Sequence, residues 1–387
     1  MNGFWDVFTN ALSGLGQGFA SLDWKAGVMI LIACVLLYLG IGRKNEPLLL
    51  VPIGFGVLLG NLPLAGLAYN SPDGVIALLY NAGIVTELFP VLLFIGLGAM
   101  IDFGPMLANP SVLIFGAAGQ FGIFLTLLLA LALGFEKQEA VSIAIIGACD
   151  GPTAIYVTNL YARHLLPAVS VAAYSYMSLV PIIQPPIMRM LTTKKERATP
   201  MHTAEKAASR TVKILFPIIA GLATILIAPM GAPLMGMLML GNLLKESGVV
   251  GRLVDVTSNT LTNIVTLLLG LCIGSSMLGG SFLQWETILI LALGLVAISL
   301  DTVTGVLIGK LMRVLSKGKI NPLLGAAGTS AFPMSARVVQ KEGQKANPRN
   351  FLLWHAVGAN TGGQIGSVMA AAVMLAIMAG LGIGPMG

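Results

Sequence analysis

Ser142-Ile-Ala-Ile-Ile-Gly-Ala-Cys-Asp150-Gly-Pro-Thr153-Ala-Ile-Tyr156 places a carboxylate directly after eight apolar or small residues. A carboxylate at bilayer depth is costly and points to function by default. Gly151-Pro152 breaks the helix at that point. The break frees carbonyls on one side and starts a new helix near Thr153 on the other. A hard cation such as Na⁺ takes several oxygens, and a carboxylate with carbonyls and the Thr153 hydroxyl supplies them. Asp150 also suits the N-cap of the new helix, and the two roles are compatible.

The rest of the chain sets the medium around that carboxylate. Of its 387 residues, 56% are hydrophobic and 10% are charged, and the mean hydropathy is +0.89. Soluble domains carry roughly 25% charged residues, so much of this surface must meet lipid. The net charge of +6 does not point to nucleic acid. The positive charge is packed between apolar runs: Lys194, Lys195, Arg197, Lys206, Arg210 and Lys213 in one link, Lys310, Arg313, Lys317 and Lys319 in another. Such loops lie on the cytoplasmic side. Cys34, Cys149 and Cys272 form no CxxC pair, and His164, His202 and His355 are scattered, so no zinc-type cluster is expected. Residues 1–23 have no basic first region. They read as an interfacial amphipathic segment rather than a signal peptide.

Apolar runs fall near 24–42, 47–63, 87–101, 111–134, 165–191, 211–229, 231–244, 264–279, 286–313 and 363–381. The class is all-α: a polytopic membrane protein with broken helices and re-entrant hairpins. Segments 138–161 and 320–340 are rich in Gly, Pro, Ser and Thr yet sit between apolar runs. Irregular backbone at that depth is tolerated only where it is buried in protein or lines a cavity, so the transport site is expected there. The basic linker 192–210 separates two membrane repeats, 24–191 and 211–387. Gly60-Asn61-Leu62 recurs as Gly241-Asn242-Leu243, and Asn109-Pro110 with Gly116-Ala-Ala-Gly119 recurs as Asn321-Pro322 with Gly325-Ala-Ala-Gly328. Gly147-Ala-Cys-Asp150 recurs weakly as Gly358-Ala-Asn360-Thr. Duplicated halves with broken helices are a pattern of secondary transporters, and the repeats are expected to be inverted.

Other polar residues stud the apolar runs. Tyr174, Ser175, Tyr176 and Ser178 lie in 165–191; Asn321, Ser330, Ser335 and Arg337 lie in the second interrupted segment; Asn360, Thr361, Gln364 and Ser367 polarise the last run. Asp301 is deep in another run. Arg337 suits either an interfacial charge or a site for an anion.

Three motifs resemble a known family: Cys149-Asp-Gly-Pro-Thr-Ala-Ile-Tyr-Val, Tyr174-Ser-Tyr-Met-Ser-Leu-Val-Pro-Ile-Ile-Gln-Pro-Pro-Ile-Met, and Asn321-Pro-Leu-Leu-Gly325-Ala-Ala-Gly-Thr-Ser330-Ala-Phe-Pro-Met-Ser-Ala-Arg337. They look like the β subunit of the Na⁺-pumping biotin-dependent decarboxylases, a group that acts on oxaloacetate, methylmalonyl-CoA, glutaconyl-CoA or malonate. The resemblance implies a bacterial inner-membrane subunit that decarboxylates carboxybiotin, takes up a proton and exports Na⁺. It implies catalytic roles for Asp150, Tyr176 and Arg337. It implies cation contacts at Asp150, Asn321, Gly325 and Ser330, with Na⁺ at Asp150, Asn321 and Ser330; the polar breaks themselves add Thr153 and Asn360 as cation contacts. The implied partners are a biotin carrier, a carboxyltransferase α subunit, a small single-span γ/δ subunit and further copies of the chain. No lysine is flanked by Met on both sides, so biotin is expected on the carrier. The competing reading is a Na⁺/H⁺ antiporter or Na⁺-coupled carboxylate transporter that works alone. A structural anchor is disfavoured, because an anchor needs no buried carboxylate.

Overall fold

A computed structural model describes residues 17–44, 46–201 and 208–385. Most of the expected interfacial segment 1–23 lies outside them; within it, Gln17–Ala20 form one helical turn. Every regular element among the described residues is helical. Among the described residues, seven helices are long and apolar enough to cross a membrane, and an eighth crossing forms if Val75–Val85 and Leu88–Met100, bent by 62°, count as one. Pro47–Gly60 is a shorter apolar helix. Large apolar side chains such as Leu226, Ile227 and Val314 face outward at 71–79% exposure, as lipid-facing residues do.

The chain divides into two compact units. One comprises residues up to Leu88 together with Thr266–Thr287; the other comprises Phe89–Val265 and Ile288–Gly387. In the first, Gly56 and Gly60 of α1 (Pro47–Gly60) lie against backbone of Leu271 and Ser275, where a Cβ would collide. Asn61 then donates to Met277 O (2.7 Å) and accepts from Gly279 N (3.0 Å). In the second unit, Gly98 of α2 (Leu88–Met100) lies in the same way against Leu238 O. Asn242 donates there to Gly98 O (3.3 Å) and Ile101 O (3.1 Å). Both Gly-Asn-Leu motifs therefore act alike: glycine lets two helix backbones touch, and the asparagine ties off a partner helix end, whose carbonyls have no intrahelical donor.

The second unit holds the interrupted segments. α3 (Phe121–Ala132) is followed by α4 (Lys137–Ala144), a 3₁₀ turn to Ala148, α5 (Gly151–Tyr161) and the long α6 (Leu166–Leu191). Glu136 and Glu139 form a capping box that starts α4. After the linker, α7 (Trp285–Leu315) is followed by a 3₁₀ segment Pro322–Gly328, α8 (Met334–Ala346) and the long α9 (Leu353–Gly380). The order long helix, broken hairpin, long helix thus occurs twice. It aligns the Asp150 turn with the turn at Ser330, 180 residues on.

The two Gly-Ala-Ala-Gly runs lie in a span and in a 3₁₀ segment, and they touch: a Cβ on Gly119 would strike Gly328. One sequence expectation needs correction: the last span begins at Leu353 rather than 363. Its polar residues Asn360, Thr361, Gln364 and Ser367 are 0–2% exposed, so they turn into protein rather than interrupt the helix.

Candidate cation site

At the first hairpin turn Cys149 adopts a left-handed conformation (φ 54°) and Asp150 an extended one (φ −128°, ψ 96°) before α5 starts at Gly151. A side chain at residue 151 would collide with the Tyr174 ring, which makes this the position where glycine is required. Asp150 is 4% exposed. Its Oδ2 accepts from Thr153 Oγ1 (2.7 Å), Gln364 Nε2 (2.9 Å) and Ser367 Oγ (3.1 Å). Gln364 and Ser367, three residues apart on α9, present one face to it.

The second hairpin turn meets the first. Ser330 N donates to Ala148 O (3.3 Å) and Ser330 Oγ to Gly363 O (2.7 Å). Asn360 donates to Thr329 O (2.6 Å), leaving a buried Oδ1 without a partner. Gln120 shares its amide among Gly116 O, Gly328 O and Gly363 O at 3.2–3.3 Å, and its Oε1 is likewise unpartnered. Gln184 donates to Ala326 O (3.0 Å). Three amide side chains therefore tie α9, α6 and the 110–132 span to the second hairpin's 3₁₀ segment and turn. No group of three or more His, Cys, Asp or Glu that could hold a metal occurs among the described residues. One carboxylate among neutral oxygens suits a monovalent hard cation better than a zinc-type ion.

Asp150, Thr153, Ser330 and Asn360 thus fall in one cluster. The remaining candidates are engaged elsewhere. Tyr176 donates to Leu291 O, and it is Tyr174 whose ring packs beside the Asp150 turn. Asn321 donates to Arg197 O (2.9 Å) and Thr199 O (2.8 Å) and accepts from Leu323 N (3.1 Å). Asn350 binds the same two carbonyls (3.2 and 3.0 Å) and Asn347 binds Ala198 O (3.2 Å), so three asparagines hold the linker. Gly325 presses against Gly305 backbone, with no room for a Cβ. Arg337 is exposed on α8 and forms no ion pair among the described residues. Asp301 is buried and accepts from Gly122 N (2.5 Å) at the start of α3.

α8 is fastened by an ion pair. Arg189, at the linker end of α6, donates to Glu342 through Nε (2.7 Å) and Nη2 (2.8 Å), and Lys345 adds 2.7 Å. The hydrogen bonds from Arg189, supported by Lys345, hold the Glu342 carboxyl below the usual range although burial opposes them.

Gln364, Ser367, Gln120 and Gln184 were not singled out as site residues by sequence. For the three glutamines the available signal was an uncharged amide inside an apolar run, which is expensive there unless it is paired.

Comparison with known proteins identifies the relatives of this site. The family model for the β subunit of Na⁺-transporting oxaloacetate decarboxylase matches residues 25–378. The methylmalonyl-CoA decarboxylase β subunit of Propionigenium modestum is 50% identical over 383 residues, covering 93% of this chain and 96% of the relative. The glutaconyl-CoA decarboxylase β subunit of Acidaminococcus fermentans is 50% identical over 381 residues, covering 97% and 100%. The oxaloacetate decarboxylase β chain of Klebsiella pneumoniae is 46% identical over 426 aligned positions, covering 94% and 98%.

Proposed function

Because this chain belongs to the β-subunit family of Na⁺-transporting decarboxylases, we propose that Asp150 is the residue at which it exchanges Na⁺ for a proton. The chain is an integral membrane subunit of a decarboxylase-coupled Na⁺ translocase. The observation that carries the assignment is the buried Asp150 carboxylate, bound on Oδ2 by neutral donors only where two hairpin turns meet.

In this reading Na⁺ binds against Asp150 with neutral oxygens around it; the unpartnered Asn360 Oδ1 and the Thr153 and Ser330 hydroxyls are the candidates. Gln364 and Ser367 aim the carboxylate. Asn321 and Gly325 act at a distance: one ties the linker to the second hairpin, the other lets that hairpin approach α7. The carboxylate holds a proton or a cation, not both well, so proton arrival expels Na⁺. Moving one charge across the membrane costs about 2.3 kcal/mol per 100 mV, and decarboxylation supplies it.

The charge rule puts the basic linker and Lys310–Lys319 inside. On that basis the first hairpin opens outward and the second inward, which supports inverted repeats. Arg337, on the second hairpin, then faces the cytoplasm, where a soluble carrier brings carboxybiotin, an anion. A guanidinium suits planar, bidentate recognition of a carboxylate. The biotin carrier, carboxyltransferase and small membrane subunit are the partners this requires.

Reconstitution with those partners in inverted vesicles tests the proposal. Uptake of radioactive Na⁺ that depends on the acyl substrate is expected. Na⁺/H⁺ exchange by the chain alone, with no effect of the partners, would favour the antiporter instead.

A further inference from the structure

The hairpin of α5 and α6 carries four hydroxyls that the cation site does not use. Thr158, Tyr161, Ser170 and Tyr174 are 0–3% exposed, and none of their side-chain oxygens has a partner among the described residues. An unpaired buried hydroxyl forfeits its hydration with nothing in return, so four within one hairpin call for an explanation.

They form a row. The contact of Gly151 with the Tyr174 ring sets the register of these two antiparallel helices, which pack together. Ser170 lies one turn from Tyr174 on the same face of α6, and Thr158 and Tyr161 share a face of α5. Counting along the helices from Gly151–Tyr174 brings Thr158 within a turn of Ser170. Tyr161 lies beyond it, at the 162–165 connection. The row thus starts beside Asp150 and ends at the hairpin's base. There an exposed His164 pairs with Glu139 of α4 (2.9 Å), and Arg163 donates to Asn159 (3.1 Å). α5 has 11 residues, hence a length of about 16 Å at 1.5 Å per residue, roughly half a 30 Å hydrocarbon core. α6 ends at the basic linker, so its start, and the base of the hairpin, lie outside.

We propose that Tyr161, Thr158, Ser170 and Tyr174, bridged by water, form the route by which an external proton reaches Asp150. The inference rests on the exchange role proposed for Asp150. Each hydroxyl accepts a proton from its outer neighbour and gives its own to the inner one, so one proton enters at Tyr161 and one arrives on the carboxylate. Asp150 becomes the acid and Na⁺ leaves. The proton is consumed when the carbamate N–C bond of carboxybiotin breaks: the nitrogen gains N–H and CO₂ departs. Buried water with two to four polar partners is ordinary in such a polar seam.

The test uses the assembled complex in vesicles, with Tyr174→Phe, Tyr161→Phe, Ser170→Ala and Thr158→Val. Expected are turnover lowered by about tenfold or more, a larger solvent deuterium effect, an unchanged half-saturating Na⁺ concentration and unimpaired thermal stability. The two Phe variants keep the ring and lose one oxygen each, so they decide the matter if the others fail to assemble. Phe variants that turn over at the wild-type rate with the wild-type isotope effect would overturn the route. Failure of the unmodified complex to exchange Na⁺ for protons would instead remove the reading on which the route rests.

Discussion

Gln364 and Asp150 are 214 residues apart in sequence and joined by a 2.9 Å hydrogen bond in a fully buried setting. The bond ties the broken first hairpin to the long last helix. In the proposed exchange Gln364, with Ser367, aims the carboxylate.

Gln364→Leu should therefore raise the Na⁺ concentration for half-maximal turnover by about tenfold, the equivalent of one hydrogen bond to a charged group. Gln364→Glu should be worse, since it sets a second carboxylate beside the first. Na⁺ titration of substrate decarboxylation in the assembled complex checks both. An unchanged midpoint in the Leu variant would remove the aiming role.

Glu342 gives a pH prediction. Its carboxyl titrates below its unfolded value, so the pair with Arg189 contributes stability that is complete above the unfolded pKa of about 4.3. That stability is lost as pH falls through the lower, folded value. Glu342→Gln should cost about 1–3 kcal/mol at neutral pH, less than a fully buried pair because Arg189 is half exposed. The variant should also flatten the acid limb of a thermal-unfolding series in detergent. Equal acid sensitivity in wild type and variant would contradict the assignment.

Asn321→Ala should loosen the linker before it affects Na⁺. The carbonyls of Arg197 and Thr199 lose one of their two asparagine donors. Limited proteolysis within 192–213 should speed up several-fold, with Na⁺ binding retained. A variant that keeps wild-type proteolysis and loses Na⁺ binding would make Asn321 a cation ligand.

Arg337→Lys separates two explanations of an exposed guanidinium. A topogenic charge tolerates Lys with near-normal activity. A bidentate carboxylate site loses most carboxybiotin decarboxylation, while Na⁺ binding at Asp150 persists. Single-turnover assays with a carboxylated carrier, alongside Na⁺ binding, distinguish them.

Much of this was legible in the sequence. Low charge and long apolar runs fixed the membrane class, and Gly151-Pro152 located the break at Asp150. The two interrupted segments do meet, Ser330 against Ala148. The individual side chains that bind Asp150 were not legible: Gln364 and Ser367 stood only among the polar residues of the last run. His355, Asn360 and Thr361 lower the local hydropathy and hid the first ten residues of α9, although all three are buried. Nor could spacing say which tyrosine packs at the Asp150 turn: two residues apart on a helix, they face different neighbours, Tyr174 meeting Gly151 and Tyr176 meeting Leu291 O.

The central claim is that Asp150 is where Na⁺ and proton compete. The direct measurement is Na⁺ activation and Na⁺ transport by the reconstituted complex carrying Asp150→Asn. An amide of the same shape keeps the Thr153, Gln364 and Ser367 contacts within reach but cannot exchange a proton for a cation. The account predicts an assembled complex with no Na⁺-dependent turnover and no Na⁺ uptake. Na⁺ activation and uptake equal to wild type would contradict it.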